Sequence, residues 1–92
     1  MIKIHITFHS LFRETAGVGE STENLSDNSS IRKLIEILAN KFGGEFKEII
    51  DPISDQISLD TIVLVNGESI RKLEATLKDN DEIVIAVPIY GG

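Results

Sequence analysis

One segment constrains this chain more than any other. Ile31, Leu34, Ile35, Leu38 and Phe42 recur at helical spacing, with Arg32, Lys33, Glu36, Asn40 and Lys41 on the opposite face. Asp27-Asn28-Ser29-Ser30 precedes it, a cluster of short oxygen-bearing side chains that accept bonds from the free N–H groups of a first helical turn. Gly43-Gly44 follows, and glycine takes the left-handed cap conformation without penalty. A single amphipathic helix must bury its apolar face on another layer, and the flanking sequence offers strands to make one.

Before the helix, Ile2, Ile4, Ile6 and Phe8 alternate with Lys3, His5 and Thr7, the period of a strand with one buried face. Leu11-Phe12-Arg13-Glu14-Thr15-Ala16-Gly17-Val18-Gly19 reads as a connection whose glycines permit a turn, and residues 20–25 as a short return strand. After the helix, residues 45–50 read as another helical turn or two, stopped before Pro52, and residues 51–60 as an irregular, exposed loop. Thr61-Ile62-Val63-Leu64-Val65 is a β-branched run ended by Asn66-Gly67, a hairpin signal, with Ser69-Ile70-Arg71 as the return. Asp79-Asn80-Asp81 is a turn into the last strand, Glu82-Ile83-Val84-Ile85-Ala86-Val87, and residues 88–92 are left as a flexible tail. The order predicts an α+β fold, a β-grasp: a mixed sheet with one long helix packed across one face, in a single domain spanning residues 1–92.

The first strand alternates, whereas residues 62–65 and 83–87 are apolar at consecutive positions. One helix covers only one face of a sheet, and strands apolar on both faces need cover on both. Either loops hide the second face, or part of it is a docking patch built from one parity of 62–65 with Val84 or Ala86 beside it.

Composition narrows the function. The chain has no cysteine, which excludes disulfides, thiolate metal sites and a catalytic thiol, so any sulfur it handles cannot sit on its own side chains. Its net charge of −6 repels a phosphate backbone and argues against nucleic acid, while it suits a basic protein surface. The start alternates rather than forming a signal peptide, and no stretch approaches the roughly 20 apolar residues of a bilayer span. A soluble, cytoplasmic protein without a membrane partner is expected. Gly17-Val18-Gly19 lacks the rest of a phosphate-loop fingerprint, and no serine sits in a nucleophile elbow. His5 and His9, about 13 Å apart on an extended chain, cannot share a metal. No bound cofactor or metal is expected.

What remains is the C-terminus. Pro88 cannot donate to a sheet ladder, so the chain is turned out of the sheet. Five extended residues reach roughly 17 Å, enough to enter a partner's active site. Gly91 lacks a Cβ and can thread a narrow channel. The carboxylate of Gly92 is ionised at neutral pH, its reference pKa being about 3.5. Attack on the α-phosphate of ATP would make an acyl-adenylate, from which a sulfide equivalent displaces AMP to leave a thiocarboxylate.

The chain resembles the MoaD/ThiS family of ubiquitin-like sulfur carriers over nearly its whole length. Phe8-His9-Ser10-Leu11-Phe12-Arg13-Glu14-Thr15-Ala16-Gly17 is similar to the family's F-x-x-L-R-E-x-x-G turn, and Val87-Pro88-Ile89-Tyr90-Gly91-Gly92 to its Pro-Pro-hydrophobic-x-Gly-Gly ending. Asn66-Gly67-Glu68 sits at the family's hairpin, and Leu77-Lys78-Asp79-Asn80-Asp81-Glu82-Ile83 matches its approach to the last strand. Val87 replaces the first proline, Asn80 the usual glycine, and residues 45–60 are longer than in compact members. The resemblance implies that a MoeB-type adenylylating enzyme, using ATP, activates Gly92. It further implies that the tail then enters the large subunit of molybdopterin synthase and donates sulfur to the pterin precursor. The chain itself would not be an enzyme. Within the class, a carrier for thiamine or tRNA thiolation, or a modifier attached to lysines, fits too. Outside it stands a β-grasp interaction module with an inert tail.

Overall fold

In the structure, a computed structural model that describes residues 1–88, the elements follow in the order β1 (Ile2–Phe8), α1 (Ser10–Ala16), β2 (Glu20–Leu25), α2 (Ile31–Phe42), a 3₁₀ helix (Gly44–Glu48), β3 (Ile50–Asp51), β4 (Gln56–Ile57), β5 (Ile62–Val65), β6 (Glu68–Ser69) and β7 (Glu82–Ala86). Among the described residues the main sheet has the order β2-β1-β7-β5-β6. β1 is antiparallel to β2 and parallel to β7, and β5 is antiparallel to β7. The sheet is therefore mixed, as predicted, with the first and last long strands adjacent at its centre.

The predicted helix face is the core. Ile31, Leu34, Ile35 and Leu38 are buried and pack in one cluster with Ile4 and Ile6 of β1, Val63 of β5, and Ile83 and Ile85 of β7. Phe42 is only half-buried at the edge of that cluster. Ser30 caps the helix, its Oγ accepting from the Lys33 N–H at 3.2 Å. Gly43 ends the helix with φ 68° and ψ −150° rather than in the left-handed helical cap expected. That region is still open essentially to glycine alone.

Asn66 and Gly67 both have positive φ, 51° and 86°, the signature of a two-residue hairpin turn that follows the sheet twist. The turn pairs Val65 with Glu68, so the return strand is Glu68–Ser69, starting one residue before the predicted Ser69-Ile70-Arg71. The asparagine does more than tolerate the turn. Its Oδ1 accepts from the Glu82 N–H and its Nδ2 donates to Asp81, both at 2.9 Å, fixing the hairpin to the start of β7. Asn80, with φ 68°, takes the left-handed position that glycine fills elsewhere.

Three segments depart from the sequence reading. Residues 10–16, read as a connection, form α1, and residues 45–50, read as a helical turn or two, are mostly 3₁₀ helix. The same contact explains both. Phe12 lies 5.1 Å from Phe46, ring centroid to centroid, and Phe8 lies 5.3 Å from Phe46, both edge-on. With Phe42 these are all 4 phenylalanines of the chain, gathered into one cluster that secures two helices too short to persist alone. The third segment, read as an irregular exposed loop, is a β3–β4 ribbon in which Ile57 is buried.

The close seating of α1 yields a test. Gly44 has φ 52°, and a Cβ there would stand 2.8 Å from Thr15 Cγ2. Gly44→Ala is expected to destabilise the fold by about 1–3 kcal/mol, through an unfavourable backbone angle and a steric overlap. Thermal unfolding measures this; an unchanged midpoint would mean that α1 is not held against the 3₁₀ helix.

Candidate functional site

Two regions border the end of β7, and each follows from how the last strand is paired. Ala86 stands opposite Ile62, the last rung of the β5–β7 ladder. Continuing the antiparallel register sets Val87 beside Thr61, where no further rung forms. Pro88 follows with no N–H to offer, so the ladder stops and the chain is released. Val87 and Pro88 are half-buried at this exit.

Val87 lines a groove of about 310 Å³ together with Leu11 and Phe12 of α1, Glu45 and Glu48 of the 3₁₀ helix, and Ser58, Asp60 and Thr61. The side-chain charges on its walls are all carboxylates. Thr15 Oγ1 donates to Glu45 Oε2 at 2.6 Å, and this bond, with one from Glu45's own backbone, holds the Glu45 carboxyl below the usual range. The groove thus sets three carboxylates beside the apolar side chains of Leu11, Phe12 and Val87.

The second region is the sheet face turned away from α2. Burial settles the parity left open by the sequence: Val63, Ile83 and Ile85 point into the core, while Ile62, Leu64, Val84 and Ala86 are half-buried on the outer face. Ile62 pairs with Ala86 and Leu64 with Val84, so the four form a contiguous apolar block, with Thr7 beside Val84 on β1. Loops do not bury it.

Gly91 and Gly92, the site residues expected from sequence, lie outside the described residues. What the structure supplies is the base from which they depart. His5 and His9 are exposed, as a solvated strand end requires. The groove residues Leu11, Glu45, Glu48 and Asp60 were missed, because a connection and a loop carry no periodicity that reveals which side chains meet. The available signals were Leu11 and Phe12, apolar residues in a segment read as a connection.

The ThiS family profile matches residues 6–92. The chain is 30% identical over 95 residues to the molybdopterin synthase sulfur carrier subunit of Drosophila yakuba, covering 100% of this chain and 93% of that protein. Its structure is similar to small archaeal modifier protein 1 of Methanosarcina acetivorans, with a TM-score of 0.78 and 30% identity over 100% of this chain and 98% of that one. It is also similar to a chain in the complex of subunits 1 and 2 of the molybdopterin-converting factor of Helicobacter pylori, with a TM-score of 0.66 and 22% identity, covering 99% and 100%. The last of these is a likeness of fold.

Proposed function

This chain belongs to the ThiS family, and on that premise we propose that it is a sulfur carrier for molybdopterin synthesis, loaded at the C-terminal carboxylate of Gly92. The observation that carries this reading is the likeness to a molybdopterin synthase sulfur carrier subunit over 100% of the chain, with the family match running through residue 92. In the first step the Gly92 carboxylate attacks the α-phosphate of ATP, giving the acyl-adenylate and pyrophosphate. In the second a hydrosulfide equivalent attacks the acyl carbon, AMP leaves with the C–O bond, and a thiocarboxylate and a proton result. The chain contributes the terminus and its presentation. A MoeB-type enzyme would bind the nucleotide and supply the catalytic groups, and the reaction belongs in the cytoplasm, where ATP is at hand.

The large subunit of molybdopterin synthase is the docking partner in this reading, the pterin precursor is the sulfur acceptor, and the outer-face block is where the large subunit would dock. Apolar residues at Ile62, Leu64, Val84 and Ala86 give a core of buried contact, and the chain's net charge of −6 suits a basic rim on the partner. Leu64→Asp is expected to weaken capture of the large subunit at least tenfold, since it places an unpaired carboxylate in the contact. The fold survives the change because the side chain points outward. Capture undiminished in a pull-down would remove the block from the interface.

Intact mass tests the central claim. Incubated with ATP, a sulfide source and the activating enzyme, the chain is expected to become heavier by the difference between sulfur and oxygen. The likeness to an archaeal modifier protein at the same 30% identity favours a second reading, attachment of the same activated terminus to lysines. Ladders of conjugated protein, in place of sulfur passed to a pterin, would select it.

A further inference from the structure

We propose that the groove beside Val87 seats a long-stemmed basic side chain of the adenylylating enzyme, a contact that rests on the sulfur-carrier reading. Its three carboxylates, Glu45, Glu48 and Asp60, line it together with Leu11, Phe12 and Val87. Among the described residues none of the three is in an ion pair, the acidic partners there being Glu23, Asp27, Asp55 and Glu74. Nor does a neighbouring cation line the groove. Arg13 sits beside Gly19, Lys47 lines the recess at Ile35 and Ala39, and Arg71 donates to the carbonyls of Ile57 and Thr61. A second, independent feature is the Thr61 side chain. Thr61 is only 4% exposed, yet its hydroxyl has no hydrogen-bond partner among the described residues. No fully buried side-chain oxygen of those residues lacks a partner, so this hydroxyl keeps an opening, and the groove that Thr61 lines supplies it.

Charge, shape and place together select the occupant. Among the described residues no three acidic or imidazole side chains come together as a metal site, so the carboxylates do not hold a bare ion. The chain's own terminus is itself a carboxylate, which the other three repel. A lysine or arginine satisfies both parts of the groove at once. Its methylene stem lies along the apolar side chains while its head meets the carboxylates, and the Thr61 hydroxyl accepts one further N–H bond. Place then singles out the enzyme. Gly92 is five residues beyond Val87 and stays within roughly 17 Å of it along any path, so a protein that binds the terminus comes within reach of the groove. The large subunit has the apolar block, which suits a lasting complex. Charged contacts act mainly on encounter rate and salt dependence, which suits an enzyme that must let the carrier go.

Pyrophosphate release by the activating enzyme is followed while the concentration of the full-length carrier is varied. Glu48 and Asp60 are exposed, so both can be changed without touching the core. Glu48→Lys combined with Asp60→Lys is expected to raise KM for the carrier about tenfold or more at unchanged kcat. The isosteric pair, Glu48→Gln with Asp60→Asn, is expected to fall between that variant and the wild type. Added salt is expected to lift the wild-type KM and to leave that of the lysine variant nearly level. A control with the same net charge, Asp27→Lys with Glu36→Lys, is expected to keep the wild-type KM, since neither residue lines the groove. A wild type that releases pyrophosphate while the lysine and amide variants keep its KM overturns the inference and leaves the carrier reading standing. A control whose KM rises as far overturns it too, making net charge the cause, and so does a fall in kcat alone. If the wild type itself releases no pyrophosphate, the carrier reading is what fails, and the groove contact falls with it.

Discussion

A chain with one alanine appended after Gly92 is expected to gain no sulfur, and a chain lacking Gly92 is expected to gain none either. Each change moves the carboxylate by about 3.5 Å along an extended chain, more than the tolerance of a reacting pair held in a near-attack arrangement. Neither change reaches the core, whose buried cluster runs from Ile2 to Ile85. The unfolding midpoint should therefore stay that of the wild type, which separates loss of reaction from loss of fold. Gly91→Val tests the threading itself, because a β-branched side chain would crowd a channel made for glycine. Intact mass after reaction with ATP, sulfide and the activating enzyme decides all three. Thiolation of the alanine-extended chain at the wild-type rate, without prior trimming, would falsify the assignment of the terminus as the working group.

The second large effect is on the fold. Leu38 is fully buried, at 0% exposure, on the face of α2 that meets the sheet. Leu38→Ala is expected to cost about 2–5 kcal/mol, the lost transfer of the side chain plus the cavity left behind. Against a typical total of about 5–15 kcal/mol, that is a large fraction of what keeps a domain this size folded. Denaturant titration with an unchanged slope is the measurement. A loss below about 1 kcal/mol would mean that the helix does not pack on the sheet as described. The expected results contrast: Leu38→Ala costs stability, whereas the changes at Gly92 cost reaction and leave stability untouched.

How far the site was legible follows from which interactions are local. The outer face is instructive. That residues 62–65 and 83–87 were apolar on both sides was plain from the sequence, and so was the implication of a second covered or docking face. Which parity faces out depended on register: pairing Val63 with Ile85 and Ile62 with Ala86 assigns each side chain its face, and a slip of one residue would have reversed every one. The groove at Val87 left little trace in the sequence. Its walls come from α1, the 3₁₀ helix and the 58–61 turn, segments that share no pattern; α1 and the 3₁₀ helix meet where Phe12 packs on Phe46, which in turn packs on Phe8.

By itself, then, the sequence determined the elements whose residues repeat at a fixed period or whose backbone needs a particular residue type. These are β1 and its alternation, α2 with its Ser30 cap, the Asn66-Gly67 turn, the Asn80 turn, and Pro88 as the stop to the last ladder. Each is set by contacts or steric limits within a few residues, so local composition suffices. Only the tertiary structure decided that residues 10–16 are helix, that Ile57 is core, and which side of β5 and β7 meets solvent. Those features rest on partners far away in the chain, as with Phe12 and Phe46, and a short helix or a turn has too few bonds of its own to choose its conformation before such partners arrive.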